Sequence, residues 1–187
     1  MKRIFAILLC LAVALGCTTA LAETAAKETI GQVNANGVFT LQCAIPEGYS
    51  VTSDTDETGN VYATIASEDS SKPLMVIAIA FNELCAEVER LNDVTEEELE
   101  FIKSTFTEED DVVFDTAETA YGTKLLVVKE VGEAADYVDF YTIYKGYEIE
   151  FVLFAGMTEA GESLPLTEEQ IRMAIQFLSD MDFVAAE

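Results

Sequence analysis

The stretches Tyr137 to Tyr144 and Tyr147 to Ala155 are separated only by Lys145-Gly146. A two-residue connection ending in Gly fits a tight hairpin turn with positive φ, so the two stretches form antiparallel strands with a fixed pairing. Side chains alternate along a strand, so a fixed turn assigns every residue to a face. Tyr144 stands opposite Tyr147, Thr142 opposite Ile149, Phe140 opposite Phe151 and Val138 opposite Leu153. These pairs make one mostly apolar face, which belongs in a core. The other face pairs Ile143 with Glu148, Tyr141 with Glu150, Asp139 with Val152 and Tyr137 with Phe154, and is mixed. The fold must therefore contain a sheet that is dry on one side and partly wet, partly covered on the other.

Two helix starts are built alike. Thr95 precedes Glu98 by three residues and Thr167 precedes Gln170 by three, the spacing at which each pair satisfies the other's free backbone donors. Val94 with Leu99, and Leu166 with Ile171, occupy the positions of a hydrophobic staple. Leu99, Ile102 and Phe106 continue the first apolar stripe; Ile171, Ala174, Ile175 and Leu178 make the second. Glu96 and Glu97 place negative charge at the positive end of the first helix dipole. Leu84, Val88 and Leu91 recur at helical spacing and predict a further short helix over 82–91.

Elsewhere the period is two. Phe39, Leu41, Cys43 and Ile45 alternate with Thr40, Gln42 and Ala44, a strand from Val38 that ends at Pro46-Glu47-Gly48. Short strands are predicted over Tyr49 to Thr52, Asn60 to Ala66 and Val112 to Glu118. Two more, Leu74 to Phe81 and Leu125 to Val128, are continuous apolar runs suited to cover on both faces. Strands, helix, strands, helix in that order give an α+β domain: a central, mostly antiparallel sheet flanked by helices, as an α/β/α sandwich.

The N-terminus has the layout of a secretion signal: Lys2 and Arg3, an apolar run from Ile4 to Leu15, then Ala20-Leu21-Ala22 before Glu23. The apolar run is shorter than the ~20 residues a stable membrane span needs. Cleavage after Ala22 is expected, leaving residues 23–36 as a weakly structured lead-in and 37–187 as one domain with no integral membrane span. Cys17, after Leu15-Gly16, offers the alternative of a lipidated, membrane-anchored form. Localisation is thus extracellular or at the cell surface. Removing the signal takes away Lys2 and Arg3 and no acid, so a net charge of −25 becomes still more negative. Such a field repels nucleic acid and anionic lipid. Cys43 and Cys85 remain, and an oxidising compartment would allow them to pair; two buried thiols are the alternative.

Phe39-Thr40-Leu41 leading to Ile45-Pro46-Glu47-Gly48-Tyr49 resembles the opening of PsbP-like domains of the Mog type, in which a strand runs into a similar turn, usually with Trp where Tyr49 stands. Gly122 to Val128, the Lys145-Gly146 hairpin and a final helix ending at Asp182-Phe183 follow in a similar order. The resemblance implies a central antiparallel sheet between helices. It carries over no functional residue, because such domains serve as photosystem subunits, Ran-binding proteins and exported bacterial proteins alike.

No assembled chemistry is visible. The chain has no histidine, which removes the usual proton shuttle and every Ser-His or Cys-His system. It lacks G-x-S-x-G, phosphate-loop and dinucleotide motifs, and no cofactor is implied. With 35 Asp and Glu, close carboxylate pairs arise by chance and specify nothing. Asp54, Asp56 and Glu57, followed by Gly59, resemble the start of a calcium loop; the twelfth position holds Ile65 where a bidentate Glu is required. The run Glu108 to Asp111 is a candidate for a basic partner or simply a hydrated loop. Tyr137 and Tyr141, on the mixed face of the hairpin, are the candidate binding surface, with cover by a helix as the alternative. The sequence therefore points to an exported, non-catalytic module that binds a cell-envelope or extracellular protein. Weak calcium binding is the second reading and a carboxylate-dependent enzyme the third.

Overall fold

The computed structural model describes residues 29–107, 112–130, 137–158 and 162–186. In chain order the strands are β1 (Thr29–Ala35), β2 (Phe39–Ile45), β3 (Tyr49–Thr55), β4 (Val61–Ser67), β5 (Leu74–Phe81), β6 (Val112–Glu118), β7 (Lys124–Glu130), β8 (Tyr137–Tyr144), β9 (Tyr147–Phe154) and β10 (Asp182–Ala185). The helices are α1 (Glu96–Thr107) and α2 (Glu168–Ser179). A seven-stranded sheet runs β3-β4-β5-β9-β8-β7-β6, and a three-stranded sheet runs β1-β2-β10. All pairings are antiparallel. The fold is α+β, with the sheets dominant.

The hairpin has the register its turn dictates, from Tyr144 opposite Tyr147 to Tyr137 opposite Phe154. Lys145 takes φ 51° and Gly146 φ 78°. A Cβ on Gly146 would stand 3.0 Å from the Phe81 ring and 3.1 Å from the Ala86 backbone, so this position needs glycine for space as well as for φ.

Alternate residues feed two cores. Leu125 and Val127 of β7 join Phe140, Phe151 and Ile77 in the first, which is closed by β2 and by Ile171, Ala174 and Leu178 of α2. Phe39 of β2 meets Tyr144 and Tyr147 edge-on at 5.1 and 5.6 Å, while Tyr144 stacks on Phe183 of β10 at 4.9 Å. Leu126 and Val128 join Tyr141, Ile143, Cys85 and Leu91 in the second, with Leu99, Ile102 and Phe106 of α1 packed against it. Both helix starts are capped as the sequence predicts. Thr95 and Glu98 bond reciprocally at 2.8 and 3.3 Å, and Thr167 and Gln170 at 2.8 and 3.2 Å.

Three expectations are corrected. From Thr29 the lead-in is strand, because Asn36 and Gly37, at φ 52° and 74°, turn it back along β2 and bury Val33 and Ala35. Residues 82–91 form no α-helix: short 3₁₀ turns lie at Glu83–Cys85 and Leu91–Asp93. The backbone closes short turns instead, with the Cys85 amide on the Asn82 carbonyl at 2.9 Å and the Val88 amide on the Cys85 carbonyl at 2.8 Å, and the Val88 and Glu89 carbonyls accept from Gly146 and Lys145 at 3.0 and 2.9 Å. The last helix stops at Ser179, and Asp182–Ala185 pairs with β2. Helices pack on both sides of the large sheet, α1 on one and α2 on the other, and the small sheet shares the second side with α2. The expected signal segment 1–22, Cys17 and the run Glu108 to Asp111 lie outside the described residues.

Candidate interaction surface

The three candidate sites from the sequence fare differently. Tyr141 is 2% exposed, a core residue. Its hydroxyl donates to Glu148 Oε1 at 2.8 Å, and the Phe106 ring of α1 meets it edge-on at 5.5 Å. Burial, and then the Glu148 charge, push the phenol far above its ordinary range, so it stays a proton donor. The reading of Tyr141 as open surface is therefore wrong: α1 covers it. Tyr137 is half-buried, its ring tilted against Phe154 at 6.1 Å.

Asp54, Asp56 and Glu57 lie at the β3–β4 turn, all exposed. Asp56 Oδ1 accepts from the Thr58 and Asn60 amides, both at 2.9 Å, and from the Thr58 hydroxyl at 2.7 Å; Oδ2 accepts from Asn60 Nδ2 at 3.0 Å. The hydrogen bond from the Thr58 side chain is the main reason its carboxyl sits below the ordinary aspartate range. Asp54 accepts from the Thr55 amide at 2.8 Å. Ile65, at the position where a calcium loop needs its last carboxylate, is buried in the first core. The Asp56 carboxylate closes a turn with the groups a cation would need. Among the described residues no three His, Cys, Asp or Glu side chains gather at metal-binding distance.

Cys43 and Cys85 are free and buried. They belong to different cores, on opposite faces of the large sheet, so of the two readings the sequence allowed it is two buried thiols that the structure shows, and not a bridge. Burial pushes the Cys43 thiol up to about 11. Cys85 is raised by burial and by the nearby Glu148 charge. Neither is an activated thiolate. At the start of α1, an open hollow is lined by Thr95, Glu97, Glu98 and Phe101. Glu98 is already engaged there by the cap.

A feature that sequence reasoning missed emerges from the register. One row across the large sheet runs Leu126, Tyr141, Glu150, Ala78, Tyr62, Asp54. The first two lie in the core beneath α1. Glu150, Ala78 and Tyr62 are half-buried, Asp54 is exposed, and none of these four belongs to either core. The next row passes from Val128 through Asp139 and Val152 to Val76 and Thr64. Val152 and Val76 are buried at 3% each yet also stand outside both cores. Thus α1 and the 3₁₀ turns cover β6, β7 and β8, while β9, β5, β4 and β3 present the same face with no described helix packed on it. The sequence did carry a signal for this half: its four strands contain no Lys or Arg and many small residues.

No helix among the described residues is long and apolar enough to cross a membrane. No protein-family model matches the chain. No curated protein matches it. Among solved structures, the chain is similar to the solution structure of cyanobacterial PsbP (CyanoP) from Synechocystis sp. PCC 6803, at 11% identity and a TM-score of 0.47, over 87% of this chain and 97% of that one. The functional reading rests on this chain's own residues.

Proposed function

We propose that the protein is an exported interaction module that works by surface recognition of a cell-envelope or extracellular protein, without chemistry of its own. The observation that carries this reading is the half-covered face of the large sheet. A sheet buries its apolar faces against other layers. Here α1 reaches only one half; on the other, Ala78 and Tyr62 are half-buried and Asp54 is exposed, while Val76 and Val152 are already buried. Tyr137 and Phe154, tilted together, lie on the same face at its end. Small side chains let a partner approach closely, and aromatic side chains supply large contact area at low entropic cost.

The test compares the wild type with Ala78→Arg, which places a long cation at the centre of this face, and with Glu97→Lys, on α1. Each immobilised protein is exposed to the envelope fraction of the source organism, with circular dichroism confirming the fold. The expected result is a partner retained by wild type and Glu97→Lys and lost by Ala78→Arg. Retention by the wild type and both variants would move the interaction off this surface and overturn the reading.

A further inference from the structure

We propose that Asn36 is a modification site: it deamidates by ring closure onto the Gly37 backbone nitrogen, and the loss of its side-chain amide undoes a clasp between the two sheets. Asn36 is the only one of the five asparagines followed by glycine. The chemistry needs that neighbour. The attacking atom is the backbone nitrogen of the next residue, and a side chain on that residue crowds the ring as it forms. Asn34, Asn60, Asn82 and Asn92 are followed by Ala, Val, Glu and Asp. Around Gly37 the space is open: a Cβ built there would meet nothing within 4 Å, and Asn36 and Gly37 are both exposed. Solvent base and water therefore reach the reacting groups.

The reaction needs only water and is not a redox step. Solvent base takes the Gly37 N–H proton, the nitrogen bonds to Asn36 Cγ, and the Cγ–Nδ2 bond breaks. Nδ2 leaves as ammonia with a proton from water. Water then opens the cyclic imide. Breaking the new N–Cγ bond gives aspartate. Breaking the bond from the Gly37 nitrogen to the backbone carbonyl carbon of Asn36 gives isoaspartate, whose main chain runs through Cγ. Neither product takes ammonia back unaided, so the change accumulates with the age of the molecule.

The fold sets both the rate and the consequence. Gly37 N–H donates to Asn34 Oδ1 at 2.8 Å, and Asn36 Nδ2 donates to the Gly59 carbonyl. Nucleophile and leaving group are thus both tied, and ring closure waits for these bonds to open. The second bond joins the β1–β2 turn of the small sheet to the β3–β4 turn of the large one. A carboxylate at this position has no proton to give Gly59, and it stands at a turn that already carries Asp54, Asp56 and Glu57. Isoaspartate also lengthens the backbone of a two-residue turn that the Val38 amide closes on the Ala35 carbonyl at 2.9 Å. β1, which buries Val33 and Ala35, is then held less firmly.

The purified protein is held at pH 7 and at pH 9 and followed by peptide mapping with mass spectrometry. Conversion at Asn36 is expected to be at least about tenfold faster than at any other asparagine, because intramolecular attack depends on unhindered approach. It should be faster at pH 9 and yield isoaspartate alongside aspartate. Asn34→Ala, which frees the Gly37 N–H, should speed it by about fivefold. Asn36→Asp reproduces one product directly. Its Val38 amide is expected to exchange with solvent about fivefold faster than in wild type, a difference that salt should narrow. Conversion no faster at Asn36 than at Asn92, or aspartate without isoaspartate, would overturn the modification site. An unchanged rate in Asn34→Ala would overturn the restraint, and unchanged Val38 exchange in Asn36→Asp would overturn the clasp.

Discussion

Two rows of side chains cross β7, β8, β9, β5 and β4 on opposite faces and meet opposite fates. On one face Val127, Phe140, Phe151, Ile77 and Ala63 are each no more than 2% exposed. On the other, Leu126 and Tyr141 are as deeply buried, but Glu150, Ala78 and Tyr62 are half-open. Backbone pairing is equally regular under both rows. What differs is the covering layer. The first face has a second sheet and α2 across it; the second has α1 and two short turns across three strands. A sheet's stability and its availability are therefore set separately, by what lies over each face. The uniformly buried row holds the fold, and the graded row is where the proposed partner would dock.

The most forceful way to break this comparison is to cut into both rows. Phe140→Ala removes a fully buried ring and is expected to cost about 3–5 kcal/mol. Ala78→Arg on the graded row is expected to cost less than about 1 kcal/mol, because the long side chain can reach water from a half-open position. Urea unfolding followed by circular dichroism measures both. Comparable losses would mean that the graded row is as much a part of the core as the other, and the proposed docking face would go with it.

The cysteines sharpen the comparison by titration. The Cys43 thiol has its folded pKa raised from 9.0 to about 11 by burial. Its folded value lies above its unfolded one, so its contribution is full below pH 9 and is lost as pH rises from 9 toward 11. Two pKa units correspond to about 2–3 kcal/mol. Wild type should therefore lose roughly that much more stability than Cys43→Ala between those pH values. Cys85, in the thinner second core, is raised in the same direction, and Cys85→Ala should remove a smaller part of the alkaline loss. Both thiols should resist modification at pH 8 until the chain unfolds, and no disulfide should appear in the native protein. A larger effect from Cys85 would reverse the ranking of the two cores.

Much of this was legible in the residues, for local reasons. A two-residue turn fixes register by geometry alone, so the β8–β9 pairing could be written pair by pair. Capping depends on side chains three positions apart, so both helix starts were readable too. The failures have equally local causes. Asn36-Gly37 is a strong hairpin signal, but only Val33 and Ala35 lie before it as buried partners, too few to outweigh the helix-favouring run Ala25 to Glu28. Leu84, Val88 and Leu91 keep helical spacing, yet the Lys145 and Gly146 amides, at a tip some 60 positions away in the chain, bond the Glu89 and Val88 carbonyls and hold this stretch against the hairpin as irregular chain. Periodicity is blind to such a contact. Tyr141 shows the same limit at the site. Alternation placed it on the mixed face, but only the path of α1 decides that Tyr141 is covered while Tyr62, in the same row, stays half-open. The face was readable and the cover was not.

The caps offer a finer cut. Thr95→Ala and Thr167→Ala each remove a reciprocal pair at a helix start, and each is expected to cost about 1 kcal/mol. Their consequences should differ. Loosening α2 opens the first core, where Ile171 and Leu178 are buried. Loosening α1 uncovers Tyr141, whose fluorescence should change in Thr95→Ala at denaturant concentrations where Thr167→Ala is still native around that ring. Identical responses would mean that the two faces melt as one unit.

The smallest expected effect concerns the β3–β4 turn, at the far edge of the graded row. Asp56 has its pKa lowered chiefly by the Thr58 side chain, with Asn60 adding to it. A folded value below the unfolded one means that its contribution is present above about pH 4 and lost as pH falls through the folded value. The group is almost wholly solvated, so screening leaves only a slight effect. Asp56→Ala should therefore flatten acid unfolding marginally and leave the neutral-pH midpoint nearly unchanged. Calcium decides between a turn cap and a metal ligand. If Asp56 serves only the turn, millimolar calcium leaves the heat of titration and the unfolding midpoint of wild type and Asp56→Ala alike. A calcium-dependent rise in wild type that vanishes in Asp56→Ala would show that the cation can displace the Thr58 and Asn60 donors, and would make this turn a second recognition site at the margin of the sheet.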